Sequence, residues 1–148
     1  MIVIGSDHGG LNLKTALHSY LTRRGFSVRD AGTDSKASVD YPDFGQKVAE
    51  MVVEGEAELG ILICGTGIGM SIAANKIPGI RAALVTDVFM ARMAKAHNNA
   101  NILVLGGRVL DEQSACELVG AWLDSTFEGG RHQGRLNKIT ALEQKYCR

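Results

Sequence analysis

Short β-branched apolar runs recur along this chain, each followed by a longer stretch with helical spacing. MIVIGS leads to LKTALHSYLTRRG, FSVRDAG to a segment from Pro42 to Gly55, and ELGILIC to a helix candidate over Ser71 to Lys76. IRAALVT then leads to a helix from Asp87 to about His97, and NILVLGG to a helix from Asp111 to Leu123. That alternation is the βαβ rhythm of a parallel sheet. It predicts an α/β fold: a doubly wound five-stranded parallel sheet with helices on both faces. Gly25 after Arg23 and Arg24, Pro42 after Asp40, and the pair Pro78-Gly79 punctuate the elements where helices should stop or start. No linker or internal repeat divides the 148 residues, which read as one domain with a C-terminal helical extension over about 126–148.

Composition narrows the class of partner. Sixteen basic and sixteen acidic side chains cancel, so no overall field draws the chain to nucleic acid or an anionic membrane, and any anion must be caught locally. No segment has the ~18 consecutive apolar residues that a membrane span needs, and no export signal follows Met1. Cys64, Cys116 and Cys147 are odd in number and widely spaced. They show neither the paired spacing of zinc ligands nor a CxxC redox motif. A reduced, cytoplasmic protein is the expectation.

In an open parallel sheet, ligands bind beyond the carboxyl ends of the strands. Strand one ends in Ser6-Asp7-His8-Gly9-Gly10, the strand ELGILIC in Cys64 followed by Gly65-Thr66-Gly67-Ile68-Gly69, and NILVLGG in Gly106-Gly107-Arg108. The glycine loop fits no dinucleotide fingerprint, since Met70 stands where a glycine is required, and it lacks the Lys-Ser/Thr of a Walker A loop. What remains is a turn whose backbone N–H groups can face an oxyanion or phosphate at a helix N-terminus. Cys64, just before that turn, reads either as a thiolate favoured by the helix dipole or as a small apolar residue finishing a strand. Asp7 reads as a titratable group or as an N-cap, and His97 as a proton carrier or as a helix C-cap. Their convergence on one crevice favours chemistry. Arg131 and Arg135, four apart after Gly129-Gly130, would share a helix face and could grip a phosphate. His132 can be site or surface, and His18 reads as surface.

Taken together, SDHGG, DYPDFG, ILICGTGIGMSIAANK, AHNNAN, LGGRV and EGGRHQGR closely resemble the type B ribose-5-phosphate isomerases, whose wider family includes galactose- and allose-6-phosphate isomerases. The resemblance spans essentially the whole chain, in order. It implies a Rossmann-like subunit in a homodimer, possibly paired into tetramers, with active sites shared between chains and neither metal nor cofactor. By position, Cys64 would move the proton between C1 and C2 of a phosphorylated sugar. Thr66 and the N–H groups of Gly65, Gly67 and Gly69 would support the enediolate. His97, with Asp7 nearby, would open the cyclic sugar, and Asn98 would hold its hydroxyls. His8, Arg108, Arg131 and Arg135 would bind phosphate, some of them reaching in from the partner subunit together with His97. One branch of the family carries a glutamate at the place of Met70, which puts this chain in the cysteine branch. Which sugar is preferred stays open among Tyr41, Met70 and Val88 as pocket candidates. Two competing functions are a non-catalytic sugar-phosphate sensor on the same fold and a thiol redox protein.

Overall fold

A computed structural model describes residues 1–147; Arg148, the last residue of the expected extension, lies outside the described residues. The strands are β1 (Ile2–Ser6), β2 (Val28–Asp30), β3 (Leu59–Cys64), β4 (Ala82–Leu84) and β5 (Ile102–Gly106). The helices are α1 (Leu11–Arg23), α2 (Tyr41–Val53), α3 (Ile68–Ala74), α4 (Val88–Ala96), α5 (Glu112–Asp124) and α6 (Arg131–Tyr146). All strand pairs are parallel, in the order β2-β1-β3-β5-β4. Every residue of β1 and β5 is buried, as strands sandwiched between helix layers must be.

The pleat sends alternate side chains to opposite faces. Ile2, Ile4, Ile61, Ile63, Leu103 and Leu105 meet Leu13, Leu17 and Leu21 of α1, Ala91 and Ala94 of α4, and Leu118 and Trp122 of α5. Val3, Leu62, Cys64, Ile102 and Val104 meet Val48, Ala49 and Met51 of α2 and Met70 and Ala74 of α3 on the other side. Helices therefore cover both faces of an α/β sheet, as the alternating runs predict.

Caps explain several boundaries. Asp87 Oδ1 accepts from the Met90 N–H at 2.8 Å and opens α4; Asp111 Oδ1 accepts from the Ser114 N–H at 2.7 Å and opens α5. Each satisfies an N–H that the first helical turn leaves orphaned. Two expectations need correcting. The helix after β3 starts at Ile68 rather than Ser71, because Gly67 takes a left-handed conformation (φ 83°) that closes the turn earlier. The outer strands β2 and β4 keep only three residues each, since an edge strand has a neighbour on one side only.

The last helix is thinly anchored. His132 and Leu136, four apart, are its buried residues, while Ile139, Leu142 and Tyr146 leave an apolar stripe exposed.

Candidate active site

Three neighbouring strands deliver their carboxyl ends to one place: β1 at Ser6, β3 at Cys64 and β5 at Gly106. The loops leaving β1 and β5 lead to helices on one face and the loop leaving β3 to a helix on the other. The chain parts there, and the parting is where an open sheet binds ligands. Glycines let the loops meet backbone to backbone. A Cβ on Gly10 would lie 2.6 Å from the Ile63 carbonyl oxygen, one on Gly106 2.8 Å from that of Thr66, and one on Gly107 2.5 Å from that of Gly9. Gly107→Ala should therefore lower unfolding free energy by about 1–3 kcal/mol, the usual cost of overpacking, in urea denaturation. Gly134→Ala, on the open side of α6 where a Cβ meets nothing, is the control that should show no loss.

Cys64 lies at the heart of this junction, only 5% exposed. Its Sγ accepts a hydrogen bond from the Gly67 N–H at 3.2 Å. That N–H is thus occupied by sulfur rather than free for a substrate oxygen. The first intrahelical bond of α3 runs from Ser71 N–H to the Gly67 carbonyl at 3.0 Å, which leaves the N–H groups of Gly69 and Met70 without an intrahelical acceptor. Thr66 is exposed, its Oγ1 accepting from the Ile68 N–H at 3.3 Å. Arg108 is exposed and lies over Gly65, whose notional Cβ would sit 3.3 Å from Nη1.

Asp7 is an N-cap: its Oδ1 accepts from Gly9 N–H at 2.9 Å and Gly10 N–H at 3.2 Å, closing a single 3-10 turn before α1. Oδ2 is its uncommitted oxygen. His8 accepts from the Val39 N–H through Nδ1 at 3.2 Å, which leaves Nε2 for a ligand. Of the three pocket candidates, Tyr41 covers Gly69, whose notional Cβ would clash with its ring at 2.5 Å. Met70 is fully buried in the core, and Val88 packs against the core on the opposite face.

Within a single chain His97 does not join this crevice. In the sheet register Cys64 is level with Gly106 and Gly60 with Ile102. α4 runs back from the end of β4 to the start of β5, so His97 and Asn98 sit at the amino end of the sheet. About 13 Å of strand separates the two levels at ~3.3 Å per residue. Arg131 and Arg135 belong with His97, because the Glu128 N–H bonds the Ala96 carbonyl at 3.0 Å and ties the start of the extension to the end of α4. Arg131, Arg135 and Asn98 are all exposed there.

At this second cluster, His97 is a helix C-cap whose ring stacks on that of His132, centroids 4.0 Å apart and planes 15° from parallel. Glu128 Oε1 stands 3.8 Å from His97 Nε2 and 3.6 Å from His132 Nε2. Burial, then the neighbouring His97 and Arg131, push the His132 pKa below the ordinary histidine value, against the pull of Glu128. The sequence left His132 ambiguous and gave no sign of Glu128, because their relation to His97 exists only once the extension folds back. His97, Glu128 and His132 bring their donor atoms within 4.8 Å of one another. Near-parallel rings aim their nitrogen lone pairs side by side rather than at a common point, so the set does not fit a metal ion without turning a ring.

The ribose/galactose isomerase model matches residues 2–139. The chain is similar to ribose-5-phosphate isomerase B of Escherichia coli K12, 46% identical over 97% of each chain. It superposes on the ribose-5-phosphate isomerase B of Clostridium thermocellum with a TM-score of 0.97 at 57% identity, covering 98% of both chains. The enzyme of that name from Mycoplasma genitalium, solved with bound ribulose-5-phosphate, matches with a TM-score of 0.93 at 44% identity, covering 97% of this chain and 96% of that one.

Proposed function

The chain belongs to the ribose/galactose isomerase family, and on that premise we propose that it interconverts ribose 5-phosphate and ribulose 5-phosphate, with Cys64 as the proton-transfer base. The observation that carries this reading is the position of Cys64: a thiol at the end of the central strand, touched by one N–H and followed by two first-turn N–H groups with no intrahelical acceptor. Proton abstraction beside a carbonyl needs a base and donors placed where negative charge develops.

The chemistry runs in two stages. Ring opening breaks the bond between C1 and the ring oxygen; the anomeric hydroxyl loses a proton, the ring oxygen gains one, and C1 becomes an aldehyde. His97 delivers the proton to the ring oxygen, and Asp7 Oδ2 is the group placed to take the other. Cys64 then removes the C2 proton, the electrons moving through a C1–C2 double bond on to O1. The Gly69 and Met70 N–H groups, with the Thr66 hydroxyl and Gly65 beside them, support the enediolate. The proton on O2 passes to O1, and Cys64 returns its proton to C1. Asn98 holds sugar hydroxyls, while Arg108, Arg131, Arg135 and His8 hold the phosphate. Binding energy from the phosphate, remote from the reacting carbons, keeps the open chain in reactive geometry.

Because Cys64 and His97 lie at opposite ends of one sheet, a complete site requires a second copy of the chain. The exposed Ile139, Leu142 and Tyr146 on α6 and Phe89 and Met90 on α4 are apolar surface that such a copy could cover, with the extension supplying both phosphate ligands and contacts.

A second reading follows from the family's own breadth, which includes galactose isomerases. Steady-state assays of metal-stripped protein with ribose 5-phosphate, allose 6-phosphate and galactose 6-phosphate decide between them. Turnover of the pentose by at least tenfold over both hexoses in kcat/KM is the expected result; the extra CHOH unit of a hexose crowds a pocket sized for the pentose, and one carbon more or less is worth about 10–200-fold. Preference for a hexose phosphate would move the substrate, and turnover of none would favour the sensor.

A further inference from the structure

His132 and Glu128 take part in no step above, yet both are built against His97. We propose that they are positioning residues, fixing the His97 imidazole for proton transfer to the sugar ring oxygen. This rests on the isomerase reading and deepens it.

The restraint has three parts. Ring stacking at 4.0 Å fixes the plane of the His97 imidazole, which is otherwise one-third exposed and free to turn. The Glu128 carboxylate, 3.8 Å from His97 Nε2 and 3.6 Å from His132 Nε2, draws both nitrogens to the same side. The backbone bond from Glu128 N–H to the Ala96 carbonyl, at 3.0 Å, registers the carboxylate against the residue just before His97. An aimed proton donor loses rate steeply when its orientation is relaxed.

The protonation states are compatible. Two stacked imidazoles repel if both are charged. His132 is buried on α6 and faces His97 from the end of α4, Glu128 from the segment before α6, and Arg131 and Arg135 on its own helix. Burial and three of these four neighbours disfavour its charged form. A neutral His132 can lie under a His97 that carries the transferable proton, with Glu128 offsetting that charge. The arrangement disfavours charge on the buried His132 ring, while the His97 ring is the one a substrate can reach.

The test separates ring opening from enediolate formation. Ribulose 5-phosphate is acyclic, so exchange of its C1 hydrogen with deuterated solvent, followed by NMR, reports the Cys64 step alone. In His132→Gln and Glu128→Gln, kcat for ribose 5-phosphate should fall roughly tenfold, with the KM and the exchange rate within about twofold of wild type. His132→Phe, which keeps a flat ring for stacking, should recover part of the loss. Glu128 is exposed, so its variant keeps the fold even if His132→Gln loosens α6; loosening would itself show as a raised KM through Arg131 and Arg135. Equal kcat in Glu128→Gln and wild type, or exchange falling in parallel with kcat, overturns the positioning role while the isomerase reading stands. A wild type that neither isomerises nor exchanges overturns both.

Discussion

Cys64→Ala should lower kcat/KM for ribose 5-phosphate by about a thousandfold, within the range a positioned general base contributes and equivalent to about 4 kcal/mol of barrier. Deuterium exchange at C1 of ribulose 5-phosphate should vanish with it, since in the proposed mechanism the thiol handles the carbon-bound proton. The substitution removes one buried atom facing Met70 and α2, so its stability cost is on the order of 1 kcal/mol and the fold survives to be assayed. Cys64→Ser is the sharper companion: it keeps the size and the Gly67 N–H contact and replaces the thiol with a far weaker acid, so it should be as slow as alanine. If exchange persisted in either variant, another base would have to be sought.

The same residue bears on the redox alternative. Cys64 faces the α2 and α3 side, whereas Cys116 packs on the α5 side. A disulfide needs Cβ atoms about 3.5–4.5 Å apart, and an entire sheet stands between these two. Burial raises the Cys116 thiol pKa, which makes it a poor resolving nucleophile as well.

Much of this architecture was legible in the sequence for definite reasons. Strands covered on both faces must be apolar throughout, so ILIC and ILVLG announce themselves. Asp87 and Asp111 cap helices because a short carboxylate suits an orphaned N–H. The helix after Cys64 was misplaced because a glycine-rich stretch conceals which residue adopts the left-handed turn. Reading His97 and Asp7 as converging on one crevice holds only if His97 comes from another chain, as the resemblance implied. A helix joining parallel strands returns to the opposite end of the sheet, so residues at its C-terminus cannot face residues at the strand ends of the same chain. Glu128 was invisible for a related reason: its partners come from segments joined only by the folded-back extension.

That placement has a physical sequel that can be measured. If each active site combines Cys64 of one chain with His97 of another across a two-fold axis, the interface is isologous and each dimer holds two such sites. Cys64→Ala homodimers and His97→Asn homodimers are then both crippled. In a hybrid of the two, one site receives both altered residues and the other receives neither. When the two variants are unfolded together at equal amounts and refolded, half the dimers are hybrids and half the sites in each hybrid are intact. Activity should return to about a quarter of the wild-type value per chain, far above the sum of the parents. A control mixture of Cys64→Ala with Thr66→Ala, both from the same end of the sheet, should gain nothing, because every hybrid site then carries one lesion. Absence of recovery in the first mixture, with hybrids verified by mass, would place His97 and Cys64 in independent roles, and the distance between the two clusters would then separate two functions rather than join two chains.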